Sequence, residues 1–289
     1  MNPLLTLRRG IALNSVNVFA LGTLAPRDTS WLWDQIVAML ARNGQSIPAG
    51  DSACGVANTA MQPAHQHMLP EVLAAVVRAI SAVRSLAAFE HGALGPSKDC
   101  AYEGPIIKAI TGCPISMEGK SASCAHFSPL GNIAAAMCDL WSNESVQNVR
   151  LLSGNAPEVF TEMLAYDCRL MNVASDHGEA LRLRDWFTES DEWLNPQAAV
   201  LSPEATMGIA RAIVSEHDHY HQTIAAGRAA IAILRAGVRG NRLALRGKEA
   251  QRLDRIEREL DNMPATESDL IGEMQEQRDT EFDASSYGL

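Results

Sequence analysis

Six cysteines, Cys54, Cys100, Cys113, Cys124, Cys138 and Cys168, are the side chains of this 289-residue chain best suited to chemistry beyond acid–base exchange. They are widely spaced through its middle, with no CxxC pair and no zinc-finger spacing. That pattern disfavours a disulfide framework and leaves metal ligation, catalysis or plain burial. A thiol ligates as the thiolate, which a divalent cation beside it brings about. Any metal site must be assembled from residues far apart in the sequence. Cys54, Cys100 and Cys124 stand in polar, glycine- or serine-containing stretches, Cys124 with His126 close behind it. These three remain open as ligands. Cys113 and Cys138 sit among apolar neighbours and read as buried fillers, and Cys168 reads as a core position of a helix. His217 and His221 in HDHYH invite a metal reading from one helix face, but helix-surface histidines are common. His65 and His67 read as loop residues.

The elements that must position these residues alternate. Residues 13–21 (LNSVNVFAL) read as a buried strand, followed by an amphipathic helix over 28–42 with an Asp or Thr N-cap. A second unit runs from a strand at 45–49 through GDSACG to a helix over 70–83 with Pro in its first turn. The third comprises a strand at 85–89, the loop HGALGPSKDC and a helix over 102–110. The fourth comprises a strand at 113–117, the loop EGKSASCAHFSP and a helix over 131–141. Such alternation is the signature of a parallel α/β architecture, and in a barrel of that kind the chemistry sits in the loops after the strands. Cys54, Cys100 and Cys124 all fall in such loops, which puts three thiols on one rim.

One further strand is expected at 148–153, and from about residue 155 the pattern turns helical. The strands are fewer than a closed barrel requires. The expected fold is therefore α/β, an incomplete TIM-like (β/α) barrel over 1–154 followed by a helix-rich C-terminal region over 155–289. The tail 267–289 is expected to be helical at first and then frayed. The arginine-rich stretch 239–258 alternates with Glu and Asp and reads as a solvated or packing face.

With 47% hydrophobic and 20% charged residues the chain is globular in composition. A net charge of −10 argues against a nucleic-acid surface, which needs clustered Lys and Arg. No charge-free apolar run is long enough for a membrane span, and the first ten residues, MNPLLTLRRG, lack a secretory core. Cytoplasmic location is the expectation, with small molecules or other proteins as partners.

Three stretches carry a resemblance: GDSACGVANTAM (50–61), GALGPSKDCAYEGPIIKAITGCPISMEGKSASCAH (92–126) and DLWSNESV (139–146), continuing through LAYDCRLMN (164–172) to the closing SSYGL. They resemble the zinc-binding subunit of methanol:corrinoid methyltransferases. The resemblance implies a TIM-like barrel with added helices, an oligomeric complex, a zinc ion, and a corrinoid (cobalamin) carried by a separate corrinoid-binding protein. It implies two cysteines and one glutamate as zinc ligands. The cysteine motifs map onto Cys54 in GDSAC and Cys100 in GPSKDC, whereas the glutamate lies upstream of both, so the chain is expected to lack the family's N-terminal part. Lys98 and Asp99 would tune the site, and Glu103 or Glu118 would support it from behind, against a plainer reading of each as a loop or helix-end charge. Rival readings are a corrinoid methyltransferase for another donor, such as a methoxylated aromatic, and a non-catalytic remnant that retains partner binding.

Overall fold

The computed structural model describes residues 13–43, 48, 64, 67–94, 97–99, 103–112, 115–117, 132–133, 157–276 and 287. The chain enters helix at Asn14, whose side chain accepts from the Asn17 amide while Asn17 reaches back to the Asn14 amide. This reciprocal box satisfies two of the donors that a helix start leaves orphaned. Helix α1 (Ser15–Val18) runs into a π-helical segment (Phe19–Leu24) and on into α2 (Ala25–Asn43) without a break. The strand expected at 13–21 is thus helical. Its apolar run is buried all the same, with Leu13, Val18, Phe19, Leu21 and Leu24 in the core. Short buried runs of this kind do not distinguish strand from helix by periodicity, and here the paired Asn caps decide for helix.

Helix α3 (Glu71–Glu90) is the centre of the molecule. It begins after Pro70, as its sequence predicts, but continues through 85–89, where a strand was expected. SLAAF joins the preceding helix with no glycine, proline or turn residue between them, so nothing stops the hydrogen-bond ladder. Almost every face of α3 is covered, by α2 and by the later helices α7 (Pro196–Leu201) and α9 (His219–Arg239). By length and composition α3 passes for a membrane span, yet 89% of its most apolar window is buried within the protein. A helix apolar all round belongs to a core as readily as to a bilayer.

Strand β1 (Ser97–Asp99) and strand β2 (Ile115–Met117) pair in parallel, with Ser97 opposite Ile115 and Asp99 opposite Met117. Helix α4 (Gly104–Thr111), close to the helix expected at 102–110, connects them in one βαβ crossover, but β1 lies within the stretch HGALGPSKDC expected as a loop. This two-stranded sheet is the whole of the strand structure among the described residues. The expectation of an incomplete TIM-like barrel is corrected accordingly: the described chain is predominantly helical. The predicted strands at 45–49 (residue 48 apart) and 148–153 lie outside the described residues, as does most of the helix expected at 131–141.

Beyond residue 155 the helical reading holds. There follow α5 (Pro157–Asp176), α6 (Ala180–Asp191), α7, α8 (Pro203–Val214), α9, α10 (Glu249–Asp261) and α11 (Glu267–Glu276). Their starts are written locally: Asn195, Ser202 and Asp218 each cap with a side-chain oxygen, and Pro196 and Pro203 take the first helical position. Within 239–258, α10 buries Leu253 and Ile256, while Asp254 and Glu257 meet Arg235 of α9. The main core draws Val76, Ile80 and Val83 of α3 together with Ile209, Ile231, Leu234 and Leu260 of the later helices. A polar chain crosses it: Arg78, fully buried, donates to Gln197 Oε1 at 3.0 Å, and Gln197 Nε2 donates to Glu71 at 2.7 Å.

Candidate functional site

Cys54 and Cys100, the expected metal ligands, lie outside the described residues, as do Cys113, Cys124, His126, Cys138, His65 and Glu118. What the structure does give is the frame next to Cys100. Asp99 ends β1 beside Met117, the last residue of β2, so two successive strands finish at one sheet edge, and Cys100 follows directly in sequence. Glu103 stands at the start of α4, fully buried, where its carboxylate accepts from Ser85 Oγ at 2.8 Å. That contact ties the start of α4 to the central helix. Glu103 is an anchoring group here.

The other sequence-selected positions separate. Cys168 is half-buried on α5 rather than a core residue. His67 is exposed in a turn with a left-handed backbone (φ 57°), as a loop histidine should be. His217 precedes the cap residue Asp218, so it does not share a helix face with His221. No group of three or more His, Cys, Asp or Glu side chains among the described residues is arranged to hold a metal.

A polar cleft of about 560 Å³ lies where the π-helical segment and α2 meet the start of α9. Thr23, Arg27 and Ser30 line one side, His217, Asp218, His219 and Gln222 another, with Glu90, Glu267 and Tyr287 completing the wall. Arg27 pairs with Glu267 at 2.8 Å, and His219 Nε2 lies 3.0 Å from Glu90 Oε2. Asp218 accepts from the His221 amide at 2.9 Å and faces its imidazole at 2.6 Å. Burial opposes ionisation of Asp218, but these bonds from His221 win and hold its carboxyl below the usual value. The same contact with Asp218, with the Ala265 carbonyl adding to it, raises the His221 imidazole. Asp28, next to the cleft in sequence, is pushed up by burial. Sequence reasoning missed this cleft. Thr23, Arg27 and Gln222 belong to no motif, and only the histidine-rich run at 217–221 drew notice to the region.

Three comparisons relate the chain to known proteins. A sequence profile described as methanol-cobalamin methyltransferase B subunit matches residues 10–288. A methanol–corrinoid protein co-methyltransferase of Methanosarcina barkeri is 41% identical over 207 residues, which are 71% of this chain and 45% of that protein. A chain from the crystal structure of the methanol:cobalamin methyltransferase complex MtaBC of Methanosarcina barkeri superposes with a TM-score of 0.85 at 34% identity. That superposition covers 100% of this chain and 64% of the other. The chain thus spans less than half the length of that curated relative.

Proposed function

The chain belongs to the methanol-cobalamin methyltransferase B subunit family, matching it over residues 10–288, and from that membership we propose that it acts in moving the methyl group of methanol to a corrinoid on a partner protein. The profile match over nearly the whole chain is the observation that carries this reading. The relatives' names supply its chemistry: methanol as donor, and a corrinoid protein as acceptor and partner.

In such a transfer the C–O bond of methanol breaks and a carbon–cobalt bond forms on the Co(I) corrinoid, which ends as methyl-Co(III). The oxygen leaves as water after taking up a proton. Hydroxide is a poor leaving group, so the oxygen must be stabilised as it departs. Zinc, when bound, supplies that stabilisation as a Lewis acid. Cys54 and Cys100 are the residues of this chain that would hold it, and the donor set suits the ion, because thiolates bind zinc tightly while donating charge. The resemblance assigns the third ligand to a glutamate upstream of both. The anchoring of Glu103 to Ser85 and the pairing of Asp99 with Met117 would steady the loop that begins at Cys100. The division at residues 154/155, a cytoplasmic location and an oligomeric complex with the corrinoid protein are parts of the same proposal.

Metal analysis of the purified chain beside Cys54→Ala and Cys100→Ala tests it, together with a methyl-transfer assay. The assay supplies methanol, or an aryl methyl ether, and follows the absorbance change of a Co(I) corrinoid. Bound zinc that both substitutions remove, with turnover of methanol, is the expected result. Turnover of the ether alone would transfer the reading to another donor. A corrinoid protein recovered in a pull-down with no transfer from either donor would reduce the chain to a binding role.

A further inference from the structure

Helices α5 and α6 are joined by residues 177–179 and pack chiefly against each other. So short a connection makes them an antiparallel pair, and two helices alone have no second layer to cover their apolar positions. Six of the thirteen large apolar side chains exposed among the described residues fall within 157–194: Tyr166, Leu170 and Val173 on α5, Leu181 and Trp186 on α6, and Leu194 beyond it. They are 48–67% exposed. Scattered singly such residues are ordinary, but a concentration of them marks a surface that another molecule covers. The three on α5 stand at i, i+4 and i+7, so they form one stripe along that helix. Asp167 and Met171 are the residues that α5 buries, so the stripe is not the face it turns inward.

We propose that this hairpin docks another protein, one that presents an apolar helix face flanked by lysine or arginine. Charge selects the occupant. Residues 157–194 include nine acidic side chains against three arginines and no lysine. Each arginine is already engaged inside the hairpin: Arg169 with Glu162 and over the Tyr166 ring, Arg182 with Glu179, and Arg184 with Asp185. Asp176, Glu189 and Glu192 have no ion pair among the described residues, and the first two stand one turn beyond Val173 and Trp186. Uncompensated negative charge therefore borders the apolar positions, and a basic rim on the partner would neutralise it. A second copy of the chain would bring the same surplus, with its arginines likewise in use, so like charges would oppose that pairing. An anionic membrane is repelled for the same reason. A stripe at helical spacing is matched by the ridges of another helix, which makes a helix the element that fits it. This proposal does not rest on the methyl-transfer reading.

Titration calorimetry on the whole chain tests it with two synthetic helical peptides, one built of leucine and lysine and the other of leucine and glutamate in the same order. The expected result is saturable binding of the leucine–lysine peptide that weakens with added salt, and no binding of the other. Leu170→Ser and Trp186→Ser each raise the dissociation constant about tenfold, as loss of one apolar contact predicts. Both side chains are exposed, so the fold is retained in these variants. Trp31→Ser, which removes an equally exposed indole from α2, leaves the affinity unchanged. Failure of the leucine–lysine peptide to bind overturns the proposal, as does equal binding of both peptides, an equal loss in Trp31→Ser, or unchanged affinity in both hairpin variants. Dimerisation of the chain in analytical sedimentation, abolished by Leu170→Ser, would also overturn it by giving the face to a second copy.

Discussion

The imidazole of His221 lies with Nε2 3.0 Å from the carbonyl oxygen of Ala265, a residue that follows α10 and precedes α11. Its other nitrogen, Nδ1, is 2.6 Å from Asp218 Oδ2. Both ring nitrogens thus face acceptors, and only the imidazolium donates to both. Tyr220 beside it donates to the Pro264 carbonyl at 2.7 Å. Two consecutive side chains of α9 therefore grip two consecutive carbonyls in front of α11. That helix carries Glu267, which lines the cleft and pairs with Arg27.

The grip is expected to weaken as pH rises. The folded state holds the His221 imidazole above its ordinary 6.5, through Asp218 first, then the Ala265 carbonyl, with Glu216 adding to it. Its contribution is complete below 6.5 and is lost as pH climbs through the raised folded value. Asp218 has the opposite sense: its lowered pKa gives a contribution present above 3.8 and lost as pH falls through the folded value. Solvent reaches this pair, so the effect is modest, about 1 kcal/mol or less. Thermal midpoints between about pH 6 and about pH 9 should fall less in His221→Ala than in the parent. Parallel curves would remove His221 from the account.

Tyr220→Phe isolates the neighbouring bond. The ring is fully buried and stays in place, while the Pro264 carbonyl loses its donor, so stability should drop by about 1 kcal/mol. Tyr220→Ala also empties the core and should cost about 3–5 kcal/mol. Burial, with Glu273 and Asp269 next, pushes the phenol up to about 12, so spectrophotometric titration should find this tyrosine still neutral where exposed ones ionise.

Glu249 of α10 caps a helix that is not its own. Its carboxylate accepts from the amides of Glu71 at 3.3 Å and Val72 at 3.0 Å, the first two residues of α3. Removal in Glu249→Ala should cost about 1–2 kcal/mol in a denaturant titration, the usual worth of a cap. Burial raises its pKa against the pull of those two amides. Ionisation is therefore less favourable in the folded chain than in the unfolded one, and stability should decline slightly as pH rises through the carboxylate range. Glu249→Gln should abolish that slope; an unaltered slope would assign it to other carboxylates.

Gly237 and Gly208 should respond in opposite directions to alanine. A Cβ on Gly237 would stand 2.3 Å from Trp193 Cζ3, inside the contact where α9 passes the indole that Arg242 covers from 4.2 Å. Gly237→Ala should destabilise by about 1–3 kcal/mol as the ring is displaced. Gly208, within α8, has nothing within 4 Å of a built Cβ. Gly208→Ala should therefore stabilise by about 0.5–1 kcal/mol through a lower unfolded-state entropy.

The family was legible in the sequence because motifs such as GDSAC and GPSKDC are local and long. The helices after residue 155 were legible for a related reason: Asn195, Ser202 and Asp218 act within a turn of where they stand, and Pro196 and Pro203 fix their own backbone. Tertiary structure decided what local pattern leaves degenerate. The apolar runs at 13–21 and 85–89 suit a buried strand or a buried helix equally by periodicity; the Asn14 and Asn17 caps and the absence of a breaker before Ser85 favour helix, and the helices packed around both runs bury them. The cap that Glu249 places on α3, the buried link from Arg78 to Gln197, and the meeting of Thr23, Arg27 and Gln222 at one cleft join residues more than a hundred positions apart. No sequence window contains such pairs, because it is burial of the shared core that brings them together.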